Sequence, residues 1–409
     1  MLYPPHRMDL SLSDWCRAAA NCRRRDHDAA RGALESFFRP DGTCIATLSV
    51  RSALDAWLTA AAWPEGDEVL VSAVTIDDIP RIIAAHGLRP VPVEVDPETL
   101  TPQVAALERL RSPRTRAVLV ADLFGGEVDY RPIVAFARRH GLLVVRDAAQ
   151  AFRGHEVQSD DGVDVALFSF GTLKTATALG GGLAVVADPG LRARMRAVEA
   201  RWPMQPNAAT ARKVARTLAL WALQTPLGYT AFAALCRMRG VELGAVVRRM
   251  TRGFGGGSVE ALLAGLRQRP NAALLTTLHQ RLQTFSRARL ARRAENGARV
   301  LRGLPAKATP GLGQRAHTHW LVVVASPQPQ ALRAALLSAG FDASGASNVG
   351  AVCGEARAER LVARLVFVPA YPELPPQRLQ RLAEILSAHD ATALPAHGGE
   401  AGADAHARS

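Results

Sequence analysis

The chain has 409 residues, 48% of them hydrophobic, and a formal net charge of +13. This length can bury a large core and indicates roughly two or three domains. The positive charge alone would suit nucleic acid, an anionic membrane or a phosphorylated ligand. Because no basic stripe is interleaved with aromatic residues, we predict no nucleic-acid partner.

The five cysteines are odd in number and widely spaced, and no C-x-x-C motif occurs. This pattern indicates neither a disulfide framework nor a zinc site, so no metal is expected. The N-terminal stretch MLYPPHRMDLSLSDW has no apolar segment of the kind found in secretory signals. The sequence therefore predicts a cytoplasmic protein.

The first predicted element is an Arg-rich helical arm over residues 1–42. From residue 43 to residue 203, short β-branched runs alternate with helical segments. The runs that predict strands are TCIATLSV, DEVLVSAV, RPVPVEVD, RAVLVADLFG, LLVVRD, DVALFSFG and GGLAVVAD. This alternation is typical of βαβ units and predicts an α/β domain with a mostly parallel, doubly wound sheet. A ligand of such a sheet lies beyond the carboxyl ends of its strands.

The second half of the chain has a different pattern. Residues 204–270 are predicted to form an apolar helical insertion. Residues 271–392 are predicted to form one long helix, LLTTLHQRLQTFSRARLARRAENGARVLRGL, followed by a smaller α+β domain with strands at HTHWLVVVA and RLVFVPAYP. Residues 393–409 are of low complexity and are predicted to be a disordered tail.

The segment 217–236 within the insertion contains no charged residue and is flanked by basic ones. Its length and hydropathy are compatible with a membrane span or with a membrane-surface contact. Pro226 and Gly228 weaken the interpretation as a span. A helical hairpin packed on the enzyme or on a dimer partner is the favoured alternative, since apolar stripes are more often core than anchor.

Lysine is scarce, because the chain contains only Lys174, Lys213 and Lys307. A bias that replaces lysine by arginine should spare a lysine whose amine carries out chemistry. A guanidinium is not deprotonated and forms no imine under these conditions. This singles out the lysines as candidate catalytic residues.

One of these lysines lies in a group of polar residues spread over 28 positions. Asp147 ends the run LLVVRD, Gln150 follows it, and Ser169 and Lys174 bracket the turn FSFGTLK. An amine that forms an imine, a carboxylate that keeps a pyridine nitrogen protonated and a hydroxyl donor for a phosphate are what pyridoxal 5′-phosphate requires. The glycine run at 180–182 would let the backbone pass close to the cofactor.

At these residues the sequence resembles the DegT/DnrJ/EryC1/StrS family of pyridoxal-phosphate-dependent sugar aminotransferases. The resemblance covers most of residues 43–200 and, more weakly, 265–390. Its most specific stretches are RRHGLLVVRDAAQAFRG, which matches "KKHGLxVIEDAAQAHG", and ALFSFGTLKTATALGGGLAVVAD, which matches "CFSFxxxKxxTxGEGGxVVTxD". It implies a fold-type-I transferase that moves an amino group, typically from glutamate, to a keto group of a nucleotide-linked sugar or a related carbonyl compound. It also implies a homodimer.

Residue by residue, the resemblance implies that Lys174 carries the cofactor as a Schiff base and moves the proton. Asp147 matches the partner of the pyridine nitrogen, Gln150 the residue beside the ring hydroxyl, and Ser169 a phosphate ligand.

The chain departs from the family pattern in four places. The acidic residue expected before the glycine run is absent, and Leu179 lies in that region. The family's "SGTSAL" phosphate loop appears as SVRSAL at 49–54, with Arg51 and Ser52 as candidate phosphate ligands. The position of the family's stacking aromatic holds Ile76, which can cover the ring by apolar contact. Of the family's "N-Y-R-M" segment, which reaches into the partner's site, only Arg269 matches.

His317 and His319 alternate on a predicted strand before Trp320, so both would face one side. They are candidates to line a substrate cleft, and without a third ligand they do not indicate a metal site.

Two alternatives to sugar transamination remain open from the sequence. The same scaffold supports other pyridoxal-phosphate reactions, such as dehydration or decarboxylation. The altered phosphate loop would also suit a non-catalytic, membrane-peripheral member of the fold, although such a chain has no physical need to keep Asp147, Gln150, Ser169 and Lys174.

Overall fold

A computed structural model describes residues 1–155, 162–244, 246, 257–346 and 349–389 of the chain. The predicted tail at 393–409 lies outside this part. The helices, in chain order, are α1 (Leu12–Asn21), α2 (His27–Phe38), α3 (Val50–Ala61), α4 (Asp78–Ala85), α5 (Val104–Leu110), α6 (Arg131–Arg139), α7 (Pro189–Ala200), α8 (Asn207–Leu223), α9 (Pro226–Met238), α10 (Val259–Leu266), α11 (Ala272–Gln283), α12 (Arg287–Leu301), α13 (Pro329–Ser338), α14 (Ala356–Arg364) and α15 (Pro376–Ala388).

The described strands form a large sheet, a small sheet and one short ribbon. Their bounds are β1 (Cys44–Thr47), β2 (Glu68–Ser72), β3 (Val74–Thr75), β4 (Arg89–Val93), β5 (Thr115–Ala121), β6 (Leu143–Asp147), β7 (Val165–Ser169), β8 (Gly182–Val186), β9 (Val322–Ala325), β10 (Ser344–Gly345), β11 (Gly350–Ala351) and β12 (Leu365–Val368).

The large sheet has seven of these strands, in the order β1-β8-β7-β6-β5-β2-β4. The run from β4 to β7 is parallel, and β8 and β1 pair antiparallel at one edge. Its central strands are buried along their length because helices cover both faces, which is why they read as near-continuous apolar runs. The predicted mostly parallel, doubly wound sheet is confirmed.

The smaller C-terminal unit is built on the antiparallel sheet β10-β12-β9. A separate apolar core lies behind it and includes Val324, Phe341 and Leu382. The chain's N-terminal end belongs to this core as well, since Tyr3 stacks on Phe341 with ring centroids 6.0 Å apart. The predicted arm at 1–42 thus starts on the small domain and continues as α1 and α2, which pack against α11.

The prediction of one long helix in the C-terminal half is wrong, because two helices form there, one ending at Gln283 and the next beginning at Arg287. The Thr284 hydroxyl donates to the Gln280 carbonyl at 2.9 Å, and Ser286 caps a new helix by accepting from the Arg289 N–H at 3.2 Å. Phe285 turns inward and meets Phe152 edge-on. These local interactions outweigh the continuous helical pattern.

The insertion contributes α8, α9 and α10 among the described residues. No described helix is by itself long and apolar enough to cross a bilayer, whereas α8 and α9 together meet that criterion by length and composition. They bend by 95° at their junction, where Thr225 caps α9. The apolar segment 217–236 is therefore divided between two helices.

Candidate active site

Asp147 is the last residue of β6, so it lies where the parallel strands of the large sheet have their carboxyl ends. Asp147 pairs with Ala121 of β5 and Leu167 of β7, and only 4% of it is exposed. Its Oδ1 accepts a hydrogen bond of 3.0 Å from the Ala149 N–H. Burial raises the pKa of this carboxyl, and the Ala149 N–H and the charge of Lys174 counteract that rise. A cation beside it would stabilise the ionised form.

The turn after β7 carries Lys174, whose backbone N–H donates to the Gly171 carbonyl at 3.0 Å. The Nζ lies 4.2 Å from the centroid of the Trp320 ring, a cation–π distance. Trp320 is held in place by a 2.8 Å hydrogen bond from its Nε1 to the Leu173 carbonyl. Burial lowers the pKa of Lys174 to about 8, with Asp147 opposing the shift and Arg51 adding to it. A larger fraction of this amine is therefore neutral, and available as a nucleophile, than of an ordinary lysine at the same pH.

The start of α3 lines a cavity that Lys174 also lines. Ser49 caps this helix by accepting from the Ser52 N–H at 3.1 Å, so the positive end of the helix points at the cavity. Arg51 also lines the cavity and forms an ion pair of 2.8 Å with Asp78. Ser52, predicted as a phosphate ligand, is fully buried, and its hydroxyl donates to the Leu266 carbonyl at 2.8 Å. Ser49 takes the place at the cavity that the sequence assigned to Ser52.

Three further predicted residues line the same cavity, namely Gln150, Ser169 and Ile76. The Gln150 Oε1 accepts from the Phe124 N–H at 2.8 Å, which fixes the orientation of its amide. Ser169 is the last residue of β7 and pairs with Gly182. The structure therefore brings Lys174, Arg51, Gln150, Ser169 and Ile76 to one cavity, with Asp147 coupled to it through the charge of Lys174.

The glycine run at 180–182 has packing reasons that the sequence did not show. A Cβ at Gly182 would lie 2.5 Å from the Ser49 carbonyl carbon, so the absent side chain lets β8 abut the start of α3. Gly181 has a positive φ of 89°, and a Cβ there would lie 2.9 Å from Leu278. A Cβ at Gly180 would lie 3.1 Å from the Lys213 Nζ. The three glycines thus allow other segments of the same chain to pack closely against this turn.

The cavity has a volume of 1370 Å³ and extends from Lys174 to the insertion and to the small domain. A small-molecule site typically measures about 300–1,000 Å³, so this space can hold a cofactor together with a sizeable substrate. Its cationic lining residues are Arg51, Lys174, Arg212, Lys213, Arg216 and Arg333.

The other predicted residues lie elsewhere. His317 precedes β9 and forms an isolated bridge with Gly126, and His319 adopts a left-handed φ of 48°. The prediction that both stand on one strand is wrong, because the strand begins only at Val322. The two rings face each other with centroids 4.1 Å apart, and neither residue lines the cavity.

Arg269 lies at the end of the insertion, where its backbone N–H donates to the Pro203 carbonyl at 2.9 Å. It does not line the cavity either. Within the described residues, no group of three or more His, Cys, Asp or Glu side chains could hold a metal ion.

Trp320 and Lys213 are among the cavity residues that were not predicted from the sequence. Trp320 was noted only as the residue after the histidine pair, and Lys213 only as one of three lysines. Both belong to segments that are far from Lys174 in the sequence. The scarcity of lysine could have indicated Lys213, but its position in an apolar insertion gave no reason to place it at the same site as Lys174.

The donor set fits pyridoxal phosphate. A buried carboxylate that needs a cation, a buried amine with a lowered pKa, and a helix start with an adjacent arginine lie around one cavity. They match the ring nitrogen, the aldehyde and the phosphate of that cofactor. With the seven-stranded sheet order, they define a fold-type-I, pyridoxal-phosphate-dependent transferase.

The chain belongs to the DegT/DnrJ/EryC1/StrS aminotransferase family, whose model matches residues 31–238. Members of this family depend on pyridoxal phosphate.

Two curated relatives are similar to part of the chain. Over 167 residues the chain is 38% identical to the GDP-perosamine synthase of Caulobacter vibrioides, a match that covers 40% of this chain and 44% of that one. Over 162 residues it is 33% identical to the L-glutamine:2-deoxy-scyllo-inosose aminotransferase of Micromonospora echinospora, with 38% of each chain covered. The matches thus span less than half the length of these relatives.

The fold extends the likeness to nearly the whole chain. The sugar aminotransferase CalS13 from Micromonospora echinospora superposes with a TM-score of 0.67 at 21% identity, covering 95% of this chain and 100% of that one. At this identity the likeness establishes the fold.

Proposed function

We propose that this protein is an aminotransferase that moves an amino group, from glutamate as donor, to a keto group of a sugar nucleotide or a related carbonyl compound. The observation that carries the proposal is the buried Lys174 amine, which lies over Trp320 and is coupled to the buried Asp147 at the edge of the sheet. The activities for which the two curated relatives are named support a sugar-like or cyclitol-like acceptor.

Pyridoxal phosphate, when bound, supplies an aldehyde that condenses with amines and a ring that accepts the electron pair released at the substrate carbon. Lys174 would hold the cofactor by its Nζ, and Asp147 would face the ring nitrogen. Ser49, Arg51 and Ser169 would hold the phosphate.

Lys174 is also the base that this geometry offers for proton transfer. Its lowered pKa leaves an appreciable fraction of the amine neutral near pH 8, so Nζ can accept a proton and return it. Trp320 covers one side of the amine and restricts its path. Ile76 contributes an apolar wall that excludes water from the cavity without aromatic stacking.

The proposal is tested by a single-turnover reaction of the cofactor-loaded protein with L-glutamate and, separately, L-glutamine. We expect one of the two donors to convert the bound cofactor to its amine form and to release one equivalent of 2-oxo acid per cofactor. Absorbance and 2-oxo acid release measure this conversion. Protein without added cofactor is the control. Loss of carbon dioxide or water from the amino acid, with no amine form, would instead favour decarboxylation or dehydration.

The proposal includes a homodimer, with Arg269 reaching towards the partner's site. It is supported by the family resemblance and by the state of the Arg269 side chain. Its Nε is buried and has no hydrogen-bond partner among the described residues. Such a group is costly unless another chain or a ligand satisfies it.

We also propose a cytoplasmic protein whose insertion contacts the membrane surface. Residues 200–241 contain no acidic residue and six basic ones. Leu227 and Met238 on α9 are 73% and 77% exposed, and Val241 is 46% exposed. An exposed apolar face flanked by basic residues suits an anionic lipid surface, where each Lys or Arg contributes about 1 kcal/mol.

Vesicle flotation tests this contact. The wild type is expected to float with vesicles rich in phosphatidylserine, less so at high salt because the attraction is screened. Leu227→Glu and Met238→Glu should stay with the soluble fraction. Leu312→Glu is the matched control, since Leu312 is also exposed but lies outside the insertion. If the two α9 variants float as the wild type does, this face is not the membrane contact.

A further inference from the structure

A cluster of three cations on α8 faces the cavity. Arg212, Lys213 and Arg216 all line it, and their spacing places them within little more than one helical turn. The Lys213 Nζ occupies the space above Gly180, where a Cβ would lie only 3.1 Å away. The glycine run that follows Lys174 therefore makes room for a second amine.

This cluster has no acidic counterpart in the protein as described. None of the three side chains forms a hydrogen bond or an ion pair with another residue of the described ranges. Burial lowers the pKa of Lys213 to about 8, and the neighbouring Arg216 adds to the shift. Like charges three and four residues apart on a helix, one of them out of water, destabilise the fold. An anion in the cavity would remove this cost.

Two acidic residues line the same cavity, but neither neutralises the cluster. The Asp342 carboxylate accepts a hydrogen bond from the Tyr229 hydroxyl. Glu242 has another partner, and no ion pair joins it to the cluster. The cavity wall formed by α8 therefore stays positively charged.

The cluster is also separate from the groups that fit the cofactor. The charges that shift the pKa of Lys174 belong to Asp147 and Arg51, whereas the charge that shifts the pKa of Lys213 belongs to Arg216. Arg51 and Ser49 lie at the start of α3, whereas the three cations lie on α8. One cavity thus contains two cationic regions, each suited to its own anion.

We propose that Lys213, flanked by Arg212 and Arg216, is an anion subsite that binds the phosphate or diphosphate group of the substrate. Three cations in one helical turn suit a group with two or more negative charges better than a single carboxylate. Arginine can bind phosphate oxygens in pairs, and lysine acts as a point charge beside them. This inference rests on the proposed function for the reacting carbonyl group, and it assigns the selection of the substrate's charged end to the insertion.

The test is calorimetric titration of the cofactor-loaded protein with inorganic pyrophosphate, with succinate as a dicarboxylate comparison. The loaded protein is used so that the cofactor's own phosphate site is filled. Wild type is expected to bind pyrophosphate and not succinate. Lys213→Met should weaken pyrophosphate binding at least about tenfold, the loss typical of one charge-assisted contact. Lys307→Met, which removes an exposed lysine, is the matched control and should bind as wild type.

A second measurement separates this subsite from the cofactor site. The Kd of Lys213→Met for pyridoxal phosphate should equal that of wild type. The inference is overturned if Lys213→Met binds pyrophosphate normally, if the loaded wild type does not bind it, if succinate binds equally well, or if the variant loses the cofactor. If the protein does not react with amino donors but binds pyrophosphate through Lys213, the proposed function is contradicted. The inferred anion subsite is then still supported.

Discussion

Lys174→Ala is expected to lower amino-group transfer by at least about a thousandfold, since it removes both the attachment point of the cofactor and the base. No other amine replaces it, because the Lys213 Nζ lies over Gly180 rather than over Trp320. Borohydride reduction of the loaded wild type, followed by peptide mass analysis, should fix the cofactor on the peptide that contains Lys174. The variant should show no fixed cofactor.

Lys307→Ala is the control for this change, because it removes an exposed lysine of the same chain. It should keep full activity and the labelled Lys174 peptide. Cofactor fixed on Lys213 in the wild type would reverse the assignment of the two buried lysines.

Asp147→Asn is expected to lower amino-group transfer between about a hundredfold and a thousandfold. The loss is that of one partner of a buried ion pair, about 3–4 kcal/mol, here between the carboxylate and the ring nitrogen. The carboxylate also supports the ammonium form of Lys174, so its removal should lower the pKa of that amine further below about 8. The pH dependence of cofactor attachment should shift downwards accordingly.

The loss of amino-group transfer in Asp147→Asn must be distinguished from a loss of folding stability. Burial raises the folded-state pKa of Asp147, so its stabilising contribution is present at low pH and is lost as pH rises through that pKa. At neutral pH the ionised carboxylate costs stability in the cofactor-free protein, and Asp147→Asn should not lower its Tm. Asp129→Asn, at a surface ion pair with Arg131, is the matched control and should retain activity. An Asp147→Asn variant with normal kinetics would remove Asp147 from the site.

The sequence predicted the groups whose positions are set by adjacent strands. Asp147 and Lys174 follow neighbouring strands of a parallel sheet, and strand order alone brings their ends together. Ser52 was predicted to bind phosphate because a helix start presents its first residues to a ligand, but its side chain turns inward and its hydroxyl donates to the Leu266 carbonyl. The local sequence pattern does not specify the orientation of the Ser52 side chain.

Trp320 and Lys213 were missed for a different reason. Each reaches the cavity through packing between segments far apart in the chain, and no short motif marks either one. The histidine pair failed because a left-handed residue, His319, ends the extended pattern before the strand begins. Tertiary contacts decided the first two outcomes, and local backbone conformation decided the third.

The bend between α8 and α9 has a consequence for how this scaffold can diversify. Lys213 belongs to the helix before the bend and Leu227 to the helix after it, while Asp147 and Lys174 belong to the sheet. Under the proposed function and the inferred anion subsite, the reacting groups and the groups that select the substrate therefore lie on separate stretches of the polypeptide. If both proposals for the insertion hold, exchange of residues 204–270 for another segment would alter substrate selection and membrane contact, and it would leave Asp147 and Lys174 unchanged.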